Sequence, residues 1–215
     1  GGDNWNDAML RDPLAPSIVR GQMQSDVAAY RPCVLYLNGR YWGIHNLRET
    51  LGDQYFFNRH HINSGEYDLL KFEHTINGTE LVVDEGTADA YLEFEAFATS
   101  NDLSVQSNYD AVVARMNLES FLDYIIMVDF VGESSWHHNQ EYWSERKQGA
   151  KWHWVINDID RGFSSSRATD SLIDDLLDRY PLFEALVENV NFTNLFAQRY
   201  AAHLGSTFHP ERISD

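Results

Sequence analysis

The chain has 215 residues, 43% of them hydrophobic, and carries 33 acidic against 16 basic side chains for a net charge of −17. That length and apolar content suffice for one sizeable core, while the acid excess argues against a nonspecific nucleic-acid surface, which needs a basic footprint. No apolar run approaches the roughly 18 to 20 residues that would span a bilayer, so no membrane span is expected; cationic partners or metal ions suit the charge better.

In chain order, the opening GGDNWND has neither the basic start nor the apolar middle of a signal peptide, so the chain reads as a fragment, with any targeting segment outside it. Residues 31 to 49 predict a hairpin, because RPCVLYL and YWGIHNLRE are rich in β-branched and aromatic side chains and Asn38-Gly39 between them tolerates positive φ at both positions. The single cysteine, Cys33, excludes an internal disulfide and a multi-thiolate zinc site, and its apolar strand setting predicts an inert core side chain. LGDQYFFNRHHI predicts a short helix, and EYDLLKFEH and TELVVDE predict two further strands around Asn77-Gly78. ADAYLEFEAFATS has helical spacing, and NLESFLDYIIMVDFVG is apolar around much of the helix circumference, which predicts a central buried helix ended by Gly132. EYWSER and KWHWVIND, joined by a KQGA turn, predict a second hairpin. In the tail Ser171 is placed to cap SLIDDLLDRY, Pro181 interrupts, and Thr193 is placed to cap TNLFAQRYAAHL. Together these elements predict an α+β chain of one domain, with a strand-rich part over residues 1–85 and a helical part over 86–215.

Two stretches could carry chemistry. If Lys151 to Ile159 is a strand, alternation puts Trp152, Trp154, Ile156, Asp158 and Asp160 on one face. Two carboxylates roughly 5 to 6 Å apart repel by about 3 kcal/mol at an effective dielectric of about 20, which favours a raised pKa or a bound cation. Mg²⁺ takes such hard oxygen ligands and leaves its other positions to water and phosphate. The plainer alternative is that Asp160 pairs with Arg161 or Arg167 and Asp158 caps a turn. In SSWHHNQEYW, residues 134–143, adjacent His137 and His138 point to opposite sides of an extended segment and are poorly placed to share one zinc ion. The neutral carbonyl oxygen of Asn139 would be a good Mg²⁺ ligand, although an asparagine more often satisfies backbone groups in a turn.

The strings YRPCVLYLNGRYWGIHNLRE and WHWVINDIDRGF, together with DNWNDAMLRD at the start and PLFEALVEN and FHPERI near the end, resemble the CotH family of atypical protein kinases, first known from spore coats. The resemblance implies a protein-kinase-like fold and transfer of the γ-phosphoryl group of ATP, with Mg²⁺ or Mn²⁺, to protein hydroxyls. A lobe of that kind needs strands upstream of GGDNW. By the resemblance Asp158 matches the metal-binding aspartate and Asn139 the second-metal asparagine after the catalytic loop, with Asp160 as the second acid. Arg48 and Glu49 match the NLRE end of the hairpin, where one of them contacts phosphate or forms an organising ion pair. The chain has only three lysines, Lys71, Lys147 and Lys151, none of them at the hairpin end, which favours Arg48 as the phosphate contact.

The sequence departs from the family at its catalytic loop. Aligning GESSWHHN with the family's GNxDWxxN puts Ser135 where the catalytic aspartate stands and Glu133 where an asparagine is usual. Glu133 or His137 would then have to substitute as base, or the domain is a pseudokinase. Two functions follow as expectations: a kinase acting on Ser or Thr of a surface or coat protein, or a silent module that binds a surface-protein partner. A calcium-binding role for DEGTAD and DSLIDDLLD fits poorly, because neither has the EF-hand ligand order. From the resemblance alone, the protein is expected to be secreted or associated with the cell envelope.

Overall fold

A computed structural model describes residues 11–76 and 78–213, so the DNWNDAML stretch and Asn77 lie outside the described residues. The chain is α+β. Helix α1 (Arg11–Val19) leads through the short β1 (Asp26–Val27) into the hairpin β2 (Tyr30–Leu37) and β3 (Arg40–Arg48). Then come α2 (Asp53–His60), β4 (Tyr67–Thr75), β5 (Gly78–Glu85), α3 (Asp89–Ser100), α4 (Gln106–Val113) and α5 (Leu118–Val131). Strands β6 (Glu141–Glu145) and β7 (His153–Ile156) follow, and α6 (Ile173–Arg179), α7 (Pro181–Val187), α8 (Val190–Leu204) and α9 (Pro210–Ile213) complete the chain.

Five strands form one mixed sheet in the order β1-β7-β6-β4-β5, and β2-β3 forms a separate two-stranded sheet. The hairpin turn is the one its residues demand, with Asn38 at φ 51° and Gly39 at φ 76°. Cys33 on β2 is half-buried and not in the core, because this hairpin stands apart from the main sheet. Val34, Tyr36, Tyr41 and Trp42 on the same hairpin are exposed.

The main sheet is buried on both faces. Leu70, Tyr142, Trp154 and Ile156 face the large core beneath the helices. Their alternating neighbours Leu69, Trp143 and Val155 pack with Tyr55, Phe56, Ile62 and Tyr67 around α2. Helix α5 runs through the middle of the large core, and its apolar circumference is buried along nearly its whole length. Asn117 caps it by accepting the Ser120 backbone N–H, and Gly132 ends it in the left-handed conformation at φ 67°. Gly suits that position because it has no Cβ to clash.

Three local expectations shift. Ser171 stands two residues before α6, where its hydroxyl accepts from Ile173 N–H and donates to Asp129. Helix α8 starts earlier than the periodicity suggests: Asn189 caps it, and Thr193 lies inside, donating to the Val190 carbonyl. Strand β7 stops at Ile156, and Asp158 takes a left-handed φ of 47°, so the alternation does not carry through to Asp158 and Asp160.

Candidate active site

The pairing registers bring the chemistry-bearing residues to one end of the sheet. Glu141 at the start of β6 sits opposite Val155 near the end of β7, and Lys71 of β4 sits opposite Glu141. The chain just before β6 and the chain just after β7 therefore meet beside Lys71, and these are the segments carrying Asn139 and Asp158. The Asn139 amide donates to the Asp158 backbone carbonyl at 3.1 Å and to the Ser135 hydroxyl at 3.0 Å.

Here a cleft of about 360 Å³ opens, lined by Lys71, Glu73, Asp84, Asn139, Glu141 and Asp158 among others. Arg48 and Glu49 at the foot of the hairpin line it as well. Glu49 accepts from the Ala29 backbone N–H at 2.9 Å and pairs with Arg59 at 2.8 Å, so its charge fastens the hairpin foot to α2. Lys71 pairs with Glu73 at 2.8 Å and Asp84 at 2.9 Å. Burial works against its charged form, but those two carboxylates outweigh it and hold the ammonium pKa above its ordinary value. Glu141 is buried, and burial pushes its carboxyl up to about 7 against the hydrogen bond donated by Asn157, with the charge of Asp84 adding to the rise.

The loop residues behind this cleft are arranged differently. Glu133 is 0% exposed and Ser135 3%. Ser135 donates to Glu133 through both its backbone N–H, at 2.8 Å, and its hydroxyl, at 2.5 Å, and Arg161 N–H donates to the other Glu133 oxygen at 3.0 Å. Burial raises the Glu133 pKa, these hydrogen bonds oppose the rise, and the charge of Asp160 adds to it. Asp160 is itself buried.

His137 and His138 occupy a 3₁₀ turn, Trp136–His138, and not an extended segment. Their rings sit 4.5 Å apart, with His138 Nδ1 3.1 Å from His137 Nε2. His138 lines the cleft beside Asn139. Burial lowers the pKa of both histidines, helped by neighbouring positive charge from Arg179 at His137 and His74 at His138.

The structure thus brings Asn139, Asp158, Arg48 and Glu49 to one cleft and sets Glu133 and Ser135 in the packed layer behind it. Sequence reading passed over Lys71, Asp84 and Glu141 as site residues. Their signal is the strand pattern of EYDLLK, TELVVDE and EYW, but which strands pair, and in which register, is not written locally.

Among the described residues no three His, Cys, Asp or Glu side chains gather as a ready-made metal cage. The donors that line the cleft do fit a hard ion such as Mg²⁺, which needs only one or two protein carboxylates when phosphate and water complete its shell. Asp158 and Asn139 offer oxygen donors, and the Gln140 side-chain oxygen nearby is buried without a hydrogen-bond partner. With a guanidinium and an ammonium also on its walls, the cleft has the chemistry to take an anionic ligand together with a hard cation.

The family model described as CotH kinase protein matches residues 2–215, and the chain belongs to that family. No curated protein matches the chain. Membership brings a broadly kinase-like function and, in general terms, the use of ATP and a divalent metal. No helix among the described residues is long and apolar enough to cross a membrane.

Proposed function

We propose that the chain is an atypical protein kinase domain with a kinase-like fold, transferring the γ-phosphoryl group of ATP to Ser or Thr of a surface or coat protein, secreted or at the cell envelope. The observation that carries this reading is the Asn139 to Asp158 hydrogen bond at the edge of a cleft that Lys71 and Arg48 also line. In this reading Asp158 and Asn139 hold Mg²⁺ or Mn²⁺, with Asp160 as the supporting second acid. A bound divalent ion supplies neutralisation of the charge that develops on the transferred phosphoryl group. Arg48 and Lys71 place their positive charges against the phosphates, and Glu49 fixes the hairpin foot that presents Arg48. Positioning and electrostatics supply most of the acceleration in phosphoryl transfer, so such a site works, slowly, without a dedicated base. His137, neutral near pH 7 by virtue of its lowered pKa, stands in the same turn as the loop's missing acid.

A second reading is favoured by one observation. Ser135, which the resemblance sets where the family has its catalytic aspartate, is buried and bonded to Glu133. A pseudokinase that binds a surface-protein partner would have this loop. Incubation with γ-labelled ATP, Mn²⁺ and unstructured Ser/Thr acceptor peptides separates the two. The kinase reading predicts label transfer by wild type that disappears in Asp158→Ala. Transfer no higher than in Asp158→Ala, from a protein that still binds metal and nucleotide, would select the pseudokinase.

A further inference from the structure

Both oxygens of Glu133 are occupied inside the protein, one by the N–H and O–H of Ser135 and the other by Arg161 N–H. Because the Ser135 hydroxyl hydrogen is committed to Glu133, its oxygen meets Asn139 only as an acceptor. The Asn139 amide must therefore present its NH₂ to Ser135, and the other hydrogen of that group goes to the Asp158 carbonyl. With both amide hydrogens placed, the side chain cannot flip, and Oδ1 is fixed as the oxygen that would serve as the metal donor. The family's motif has an asparagine at position 133 and an aspartate at position 135, and an aspartate there would itself accept from Asn139. Acid and neutral partner have exchanged places in this chain, yet an acceptor still faces Asn139.

We propose that Glu133 is a positioning residue: it turns Ser135 into a fixed acceptor that orients Asn139, and through Arg161 N–H it ties that loop to the segment carrying Asp158. Glu133 is not the general base, because it is fully buried and contributes no part of the cleft wall. The inference rests on the reading of Asn139 and Asp158 as metal-holding residues. Outer-shell partners of this kind typically change metal affinity by about 10- to 100-fold when removed.

The test is calorimetric titration of Mn²⁺ into protein saturated with a non-hydrolysable ATP analogue, alongside the melting temperature of each protein without ligand. Ser135→Ala removes the acceptor while leaving both backbone N–H bonds to Glu133, and it should weaken Mn²⁺ binding by about 10-fold or more with little change in melting. Glu133→Gln places an NH₂ against an N–H donor on one side or the other and should weaken binding at least as much. The exchanged pair Glu133→Asn with Ser135→Asp should return affinity to near the wild-type value, which a purely structural role would not do. Mn²⁺ binding that is lost in Asp158→Ala but unchanged in Ser135→Ala would overturn the inference alone, even if Glu133→Gln does not fold. Wild-type binding that Asp158→Ala leaves intact would overturn the metal reading, and this inference with it.

Discussion

Asp123 on α5 and Glu141 on β6 are both buried carboxylates, and their surroundings differ completely. Arg199 grips both Asp123 oxygens, at 2.6 and 2.8 Å, while His203 and the Gln24 backbone N–H complete its shell. Burial raises the Asp123 pKa, but Arg199 and His203 outweigh it and hold the group below its ordinary value. Glu141 has the Asn157 amide as its hydrogen-bond donor and other carboxylates for company, and its pKa rises to about 7. On the helical side charge is neutralised within the protein, and that charge holds α5, α8 and the Gln24 segment together. At the cleft, Glu73, Asp84 and Asp158 line the walls with Lys71 and Arg48, and Glu141 adds a further negative charge whenever it is ionised, a setting that suits a cation.

The largest effect expected from breaking this contrast is at Asp123. Removing one partner of a buried ion pair leaves the other charge uncompensated, so Asp123→Ala should cost about 3 to 5 kcal/mol in urea unfolding. A loss below about 1 kcal/mol would mean that the cluster is not the framework described.

Glu141→Gln should act in the opposite direction. The folded pKa lies above the unfolded one, so the native state holds a proton that the unfolded state has lost. Wild-type stability therefore falls as pH rises from about 4.5 to about 7, and it stays lowered above that. Glu141→Gln should then stabilise the ligand-free protein by about 3 kcal/mol at pH 8 and hardly at all at pH 4. Equal unfolding curves at pH 8 would show that the carboxylate is better solvated than its burial implies.

The smallest change sharpens the comparison from the framework side. Asn117→Ala removes the cap of α5 and should cost about 1 kcal/mol, with the response to metal and nucleotide unchanged because Asn117 does not line the cleft.

Local patterns were legible wherever a residue's own chemistry sets its backbone. Asn38-Gly39 announced the hairpin, the apolar circumference of LESFLDYIIMVDFV announced a buried helix, and Gly132 its end. The family resemblance singled out Asn139 and Asp158, and both line the cleft. Lys71 and Glu141 were not legible, since their meeting depends on β4 pairing with β6, strands separated by three helices in the chain. The strand alternation through WHWVINDID misled because Asp158 adopts a left-handed conformation, which a short polar side chain tolerates at low cost. The packed layer of Glu133 and Ser135 was likewise invisible, because no local pattern announces that the Ser135 hydroxyl donates to Glu133 while accepting from Asn139.

The cleft at the end of the sheet is proposed to take a metal together with a nucleotide. Thermal unfolding with ATP, with and without Mg²⁺ or Mn²⁺, tests it most directly in wild type and Asp158→Ala. At about 100 times Kd the ligand adds roughly 2.7 kcal/mol, which raises Tm by about 5 to 10 °C in a chain of this size. That rise is expected only when metal and nucleotide are both present, and it should be lost in Asp158→Ala. No rise in well-folded wild type, or an undiminished rise in Asp158→Ala, would contradict it.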